Sequence, residues 1–219
     1  MNESGYITIG KEASAEFIIH KSRFIGYACP CSDEAEALEF LKKIRTKHSD
    51  ATHNCYAYVI GRNQGIMRYS DDGEPGGTAG MPILEVMRKR GIVNCCVVVT
   101  RYFGGILLGA GGLVRAYSQG SRDALNAAGV IRMTLSDRYL LEVDYSTWQR
   151  LQYRLKSAPV IIENTEFETT VLCTLLMEKE KTEMLLDDFT KLTEGRIEYL
   201  YEESLFYPWP QGEETENGE

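Results

Sequence analysis

Three groups of residues have types and spacings that could do chemistry. Asp71, Asp72 and Glu74 put three carboxylates within four positions, in a segment, Ser70–Thr78, that also holds Pro75 and three glycines. Carboxylates so placed could hold a hydrated Mg²⁺ or position a water. Turn formation and helix capping would use the same residue types without a ligand. The EF-hand pattern fails for want of a later glutamate. The stretch Gly104–Gly112 has five glycines in nine residues, with Arg101 and Arg115 on either side. Glycines ahead of a helix let backbone N–H groups approach an anion, and the arginines could pair with phosphate. Neither nucleotide fingerprint fits: no Lys-Ser/Thr pair follows Gly109, and Val114 stands where a third glycine would be needed. A tight turn with close packing is the plain alternative. His53 and Cys55 lie two apart on an expected strand and so share a face, as a thiolate–imidazole pair would require. They lack the further ligands of a zinc site, and a half-buried, hydrogen-bonded histidine explains them as well.

A fourth set is more diffuse. Tyr56, Tyr58, Tyr102 and Phe103 fall near Arg23, Arg101 and Arg115 in the expected topology. Stacking combined with positive charge is how single-stranded RNA is held, although aromatics on strands are more often core.

The elements that must position these residues can be read along the chain. Glu16–Cys29 is extended with a break near Lys21–Arg23. Ser32 or Asp33 caps a helix whose buried stripe is Leu38, Leu41 and Ile44. His53–Ile60 alternates as a strand and pairs with Gly65–Ser70. Asp71–Gly80 is a loop, and a helix follows to Arg90 with Pro82 in its first turn and Gly91 as its stop. Val93–Thr100 is a buried β-branched strand. A helix is expected over Leu113–Ala128, with Leu113, Ala116, Tyr117, Gly120, Ala124 and Ala127 on one face, and Val130–Leu135 returns as a strand. The remainder reads β (139–145), α (147–157), β (160–166), β (168–177), α (181–193), β (196–206), the order of a ferredoxin-like fold. The expected organisation is a first domain over residues 1–135, a second over 136–208, and an acidic, disordered tail over 209–219.

Composition narrows the function classes. Net charge is −8, which argues against indiscriminate nucleic-acid binding. The halves differ: residues 1–135 carry 16 Lys+Arg against 13 Asp+Glu, and residues 136–219 carry 8 against 19. Between Glu85 and Arg132 seven basic residues face two acidic ones, so charge is locally positive where the glycines lie. No apolar run approaches a membrane span and the first ten residues lack the pattern of a signal peptide. Six cysteines without a C-x-x-C pair read as free thiols in a reducing cytoplasm.

The stretches KSRFIG (Lys21–Gly26), ATHNCYAYVIG (Ala51–Gly61), SDDGEPGGTAG (Ser70–Gly80) and TRYFGGILLGAGGLVRAY (Thr100–Tyr117) resemble the IMPACT/YigZ family. The resemblance covers most of residues 15–130 and is to the two-domain bacterial type, without the RWD domain of eukaryotic IMPACT proteins. It implies an α+β chain: a first βαβ domain like the fourth domain of elongation factor G, then a ferredoxin-like βαββαβ domain similar to that factor's fifth. Eukaryotic IMPACT binds a ribosome-associated activator of a translation-control kinase. The resemblance therefore implies a non-enzymatic, cytoplasmic, translation-associated regulator that meets the ribosome, ribosomal RNA or a ribosome-associated protein through its first domain, with no membrane partner. It supplies no catalytic residue, metal or cofactor. Arg23, His53, Asp71, Asp72, Glu74, Arg101 and Arg115 occupy its motif positions, and Gly104, Gly105 and Gly109 complete the candidate binding surface. Leu108 stands where many relatives have lysine, which removes a charge from a phosphate cradle. The alternatives are a metal-assisted hydrolase acting on a phosphorylated or nucleotide substrate, and a protein-only regulator of translation-control signalling.

Overall fold

The computed structural model describes residues 5–209. Its elements are β1 (Gly5–Ile9), β2 (Ala13–Ile19), β3 (Ser22–Pro30), α1 (Glu34–Lys47), β4 (His53–Ile60), β5 (Ile66–Ser70), α2 (Gly80–Lys89), β6 (Cys95–Tyr102), α3 (Gly109–Ala128), β7 (Val130–Val143), α4 (Tyr145–Leu155), β8 (Val160–Phe167), β9 (Val171–Glu178), α5 (Lys179–Leu192) and β10 (Glu198–Pro208). They fall into two compact units, one of residues Tyr6–Arg132 and the other of the chain from Met133 onward together with Gly5.

In the first unit the sheet order is β2-β3-β6-β4-β5, with every pairing antiparallel. The unit β3-α1-β4 is a βαβ whose two strands are separated by β6. β6 is central, and its residues from Cys95 to Arg101 are all buried. Such a strand carries apolar residues on both faces because both faces are covered: Cys95, Val97 and Val99 meet α2 and α3, whereas Cys96 and Val98 meet α1. The β2–β3 hairpin turns at His20 and Lys21, whose φ values of 48° and 64° are those of a two-residue turn matched to strand twist. The break is thus one residue earlier than the sequence suggests.

Helix α1 begins at Asp33, whose side chain accepts from Glu36 N. Its buried residues are Ala37, Phe40, Leu41 and Ile44. Leu38 instead lies exposed, because Phe40 takes the core position. On α3, Ala127 is likewise exposed, and Leu125 and Ala128 are buried. Where α3 crosses the sheet, a Cβ on Gly26 would lie 2.2 Å from Gly120 O, so helix and strand backbones are in direct contact.

The second unit has the order β7-α4-β8-β9-α5-β10. β9 and β10 flank β7, and β8 lies beyond β9, all antiparallel, which is the ferredoxin-like arrangement. Leu141, Val143, Leu175 and Met177 form a core with Trp148, Leu151 and Phe189 from its two helices. Asp144 caps α4. Its carboxyl is held at about 2 by hydrogen bonds from Ser146 and Thr147. Two strands were expected on either side of residue 135, but β7 is one unbroken strand along which the units meet in sequence. Of the expected tail, Trp209 donates from Nε1 to Ser136 Oγ at 2.8 Å, and residues 210–219 lie outside the described residues. No helix among the described residues is long and apolar enough to cross a membrane.

Candidate functional site

The acidic loop is positioned by what its carboxylates accept. Asp71 receives Gly77 N at 2.9 Å, Ala79 N at 3.0 Å and Gly80 N at 2.8 Å, and so caps α2 from upstream. Burial alone would raise the Asp71 carboxyl, but these three N–H groups outweigh it and hold the group below its ordinary value. Asp72 accepts from Asn54 N at 2.7 Å and pairs with Arg45 at 3.3 Å. The Asp72 carbonyl accepts from His53 Nδ1 at 2.7 Å. Since a carbonyl only accepts, Nδ1 carries the hydrogen, and His53 Nε2 faces Glu74 Oε2 at 3.8 Å.

Glu74 is the deepest of the three, its side chain only 3% exposed. Its Oε1 accepts from Arg101 Nη1 at 2.7 Å and from the Tyr117 hydroxyl at 2.6 Å. Burial, with Cys55 and Glu74 adding to it, pushes the Tyr117 hydroxyl far up, so it stays a neutral donor. Arg101 is buried at the end of β6, its guanidinium 5.4 Å from the Phe24 ring centre and 5.3 Å from that of Phe103. The carboxylates that could have held a hydrated metal ion are thus mostly engaged by protein donors, with Glu74 Oε2 left facing His53. No group of three His, Cys, Asp or Glu side chains able to hold a metal ion occurs among the described residues.

The thiolate–imidazole pair does not form. Cys55 Sγ donates to Asp71 O at 3.0 Å, while His53 turns to the neighbouring carbonyl. Burial pushes the Cys55 thiol up to about 12. All six cysteines are free.

The glycine-rich stretch divides in two. The helix begins at Gly109, four residues earlier than expected, so Gly109–Gly112 is its first turn. Gly104 lies on the hairpin, where a Cβ would come within 2.0 Å of Lys21 C, and its N–H donates to Ser22 Oγ. Gly105 and Gly109 have φ of 82° and 67° with open space around them. Backbone geometry thus accounts for Gly104, Gly105 and Gly109 at their positions.

The structure gathers His53, Asp71, Glu74 and Arg101 on the α2/α3 side; Asp72 joins them through its carbonyl while its carboxylate reaches Arg45 of α1, and Arg23 is not among them. In register Arg23 pairs with Tyr102 and Phe24 with Arg101, so Arg23 projects to the α1 face. There it bridges Glu16 at 2.7 Å and lies 5.8 Å from the Tyr102 ring centre. Tyr56 and Tyr58 share that face: Arg45 stacks on Tyr56, and Tyr58 donates to Glu34 Oε1. The expected aromatic platform is therefore split by the sheet. Arg115 is exposed on α3, with no ion-pair partner among the described residues.

Two features escaped the sequence reading. Tyr117 completes the Glu74 cluster, and its one sequence signal is a polar-tipped aromatic on a stripe of small residues. The loop after Phe103 exposes Phe103, Ile106 and Leu107, the last by 83%. It borders a pocket of about 370 Å³ that Arg101, Glu74, His53 and the start of α3 also line.

Comparison with known proteins places this geometry. The Impact N-terminal domain model matches residues 20–125, and a domain of unknown function (DUF1949) matches residues 141–196. IMPACT family member YvyE of Bacillus subtilis (strain 168) is 43% identical over 197 residues, covering 87% of this chain and 88% of the relative. The chain belongs to the IMPACT family. IMPACT family member YigZ of Escherichia coli (strain K12) is 34% identical over 184 residues, covering 83% of this chain and 90% of its own. A crystal structure described as a hypothetical protein is 31% identical with a TM-score of 0.58, covering 91% of this chain and 98% of that one. IMPACT membership supports a translation-related regulatory role in the broad sense.

Proposed function

We propose that this IMPACT-family chain is a non-enzymatic binding protein of the translation apparatus that engages the ribosome through the loop Phe103–Leu108 of its first unit. The observation that carries this reading is the exposure of Phe103, Ile106 and Leu107 side by side at one loop. Exposed apolar groups in one place are characteristic of partner surfaces, whereas the neighbouring carboxylates of Asp71 and Glu74 are turned inward onto protein donors. Arg115 on the adjoining helix supplies a free positive charge of the kind that steers association with ribosomal RNA or an acidic protein surface. Of these three side chains only Phe103 offers a ring for base stacking, and it already lies against Arg101. That favours a ribosome-bound protein factor over bare ribosomal RNA.

Co-sedimentation with ribosomes at low and high salt tests the proposal, with Leu107→Ser and Arg115→Ala beside the wild type. Binding should fall in both variants, and only the Arg115→Ala protein should lose most of its salt dependence. Wild-type protein remaining in the supernatant at low salt would sink the reading.

A further inference from the structure

The pocket behind the loop carries chemistry that ribosome engagement does not use. Arg101 lines it, and its guanidinium makes one hydrogen bond, from Nη1 to Glu74. Nε is buried with no acceptor. A guanidinium has five N–H donors, so most of this one's capacity is unspent in a side chain only 6% exposed. The first turn of α3 lines the same pocket at Gly109 and Ala110, and no side chain caps that helix. Two independent sources of donors therefore converge on one cavity.

Charge selects among anions. Arg101 and Glu74 cancel as a pair, which leaves the helix terminus as the fixed positive end, worth about half an elementary charge. That suits a single negative charge and is poor for a phosphate dianion. Beside Thr52 and His53, much of the remaining wall is apolar, made by Phe103, Leu107, Leu108 and Leu113. A ligand fitting both features has a carboxylate next to a compact apolar group. We infer that this pocket binds such a monocarboxylate, with the carboxylate at Arg101 and the α3 N-terminus and the apolar group against Leu107 and Leu113. The same chemistry is presented by a free apolar carboxylic acid and by an apolar residue at the end of a polypeptide.

The full chain is titrated calorimetrically with N-acetyl-leucine, with a hexapeptide ending in leucine, with the C-terminal amides of both, and with inorganic phosphate. At least one free carboxylate should bind, and its amide should bind about tenfold more weakly or worse. Comparable affinity for both acids identifies the small molecule as sufficient. A peptide about tenfold tighter than N-acetyl-leucine identifies a chain end. Ala110→Asp installs a carboxylate at the exposed first turn of α3, where it suits the helix. It should leave the melting temperature intact and weaken binding by about tenfold or more. Leu107→Ser should weaken it without affecting discrimination between acid and amide. Amides that bind as well as acids, phosphate that binds best, or no binding at about 10 mM would overturn the proposal. Ribosome co-sedimentation is scored separately, so either idea can fail while the other stands.

Discussion

The acidic loop Asp71–Ala79 and the loop Phe103–Leu108 flank one pocket and are built on opposite plans. The first is rich in charge, and its charges are turned inward: Asp71 onto three backbone N–H groups, Asp72 onto β4, Glu74 onto Arg101 and Tyr117. The second is apolar and turned outward, with Leu107 largely in solvent. Reactive-looking residue types thus do structural work here, while plain aliphatic ones are left for a partner. The difference follows from desolvation, since a buried charge needs partners to survive whereas an exposed leucine costs little.

The hardest way to break the comparison is at Glu74. Glu74→Ala leaves Arg101 buried without its counter-ion and should cost about 3–5 kcal/mol of stability, read as a lower urea midpoint. A loss under about 1 kcal/mol would mean that Arg101 can reach water, and that the inward plan is wrong. Asp71→Asn should cost less, about 1–2 kcal/mol, because an amide nitrogen would then face one of the three N–H groups. The pH dependence has a definite sign. The folded-state value of Asp71 is depressed, so its contribution is complete above the ordinary carboxylate range near 4 and is lost as pH falls through the lower folded value. The gap between wild type and Asp71→Asn should therefore narrow from pH 7 to strongly acidic conditions. A gap that stays constant would show that the carboxylate's charge is not what caps α2.

Why one plan was legible in the sequence and the other was not comes down to register. Most of the strands, the start of α1, the stop of α2 and the βαββαβ order of the second half follow from local pattern: β-branched Val97–Val99, Asp33 ahead of an acidic first turn, Pro82 in the first turn of α2 and Gly91 after it, whereas β1 and the unbroken run of β7 do not. The start of α3 at Gly109 did not, since four residues with three glycines have poor intrinsic helix propensity. The site was legible as a set of residues and illegible as a geometry. Arg23 and Arg101 look equivalent along the chain, but the pairing of Arg23 with Tyr102 sends them to opposite faces of the sheet. No local pattern reports the register of two strands so far apart in sequence. Phe40 displacing Leu38 from the core is a similar case, decided by which side chain the sheet accommodates.

A third test compares two adjacent glycines of the outward loop. Gly105→Ala places a side chain in open space at φ 82°, where only the left-handed backbone is penalised, so a cost of about 1–2 kcal/mol is expected. Gly104→Ala meets the backbone of Lys21 and should cost more. Equal costs, by thermal unfolding, would mean that the loop moves freely over the hairpin and is not anchored at Gly104.

The smallest effect on stability should come from the residue with the largest proposed role. Leu107 is 83% exposed, so Leu107→Ser removes little buried surface and should change stability by no more than about 0.5 kcal/mol. If the outward plan serves a partner, that same variant loses ribosome association while its unfolding curve overlays the wild type. The reverse pattern, lowered stability with association intact, would mean that Leu107 packs inward in solution and that the loop is a lid on its own pocket. Among the five substitutions this one separates fold from function most cleanly, because stability and binding are expected to move independently. Glu74→Ala should be unable to do so: with Arg101 lining the pocket and stacked on Phe103, damage to the inward loop carries directly into the outward one.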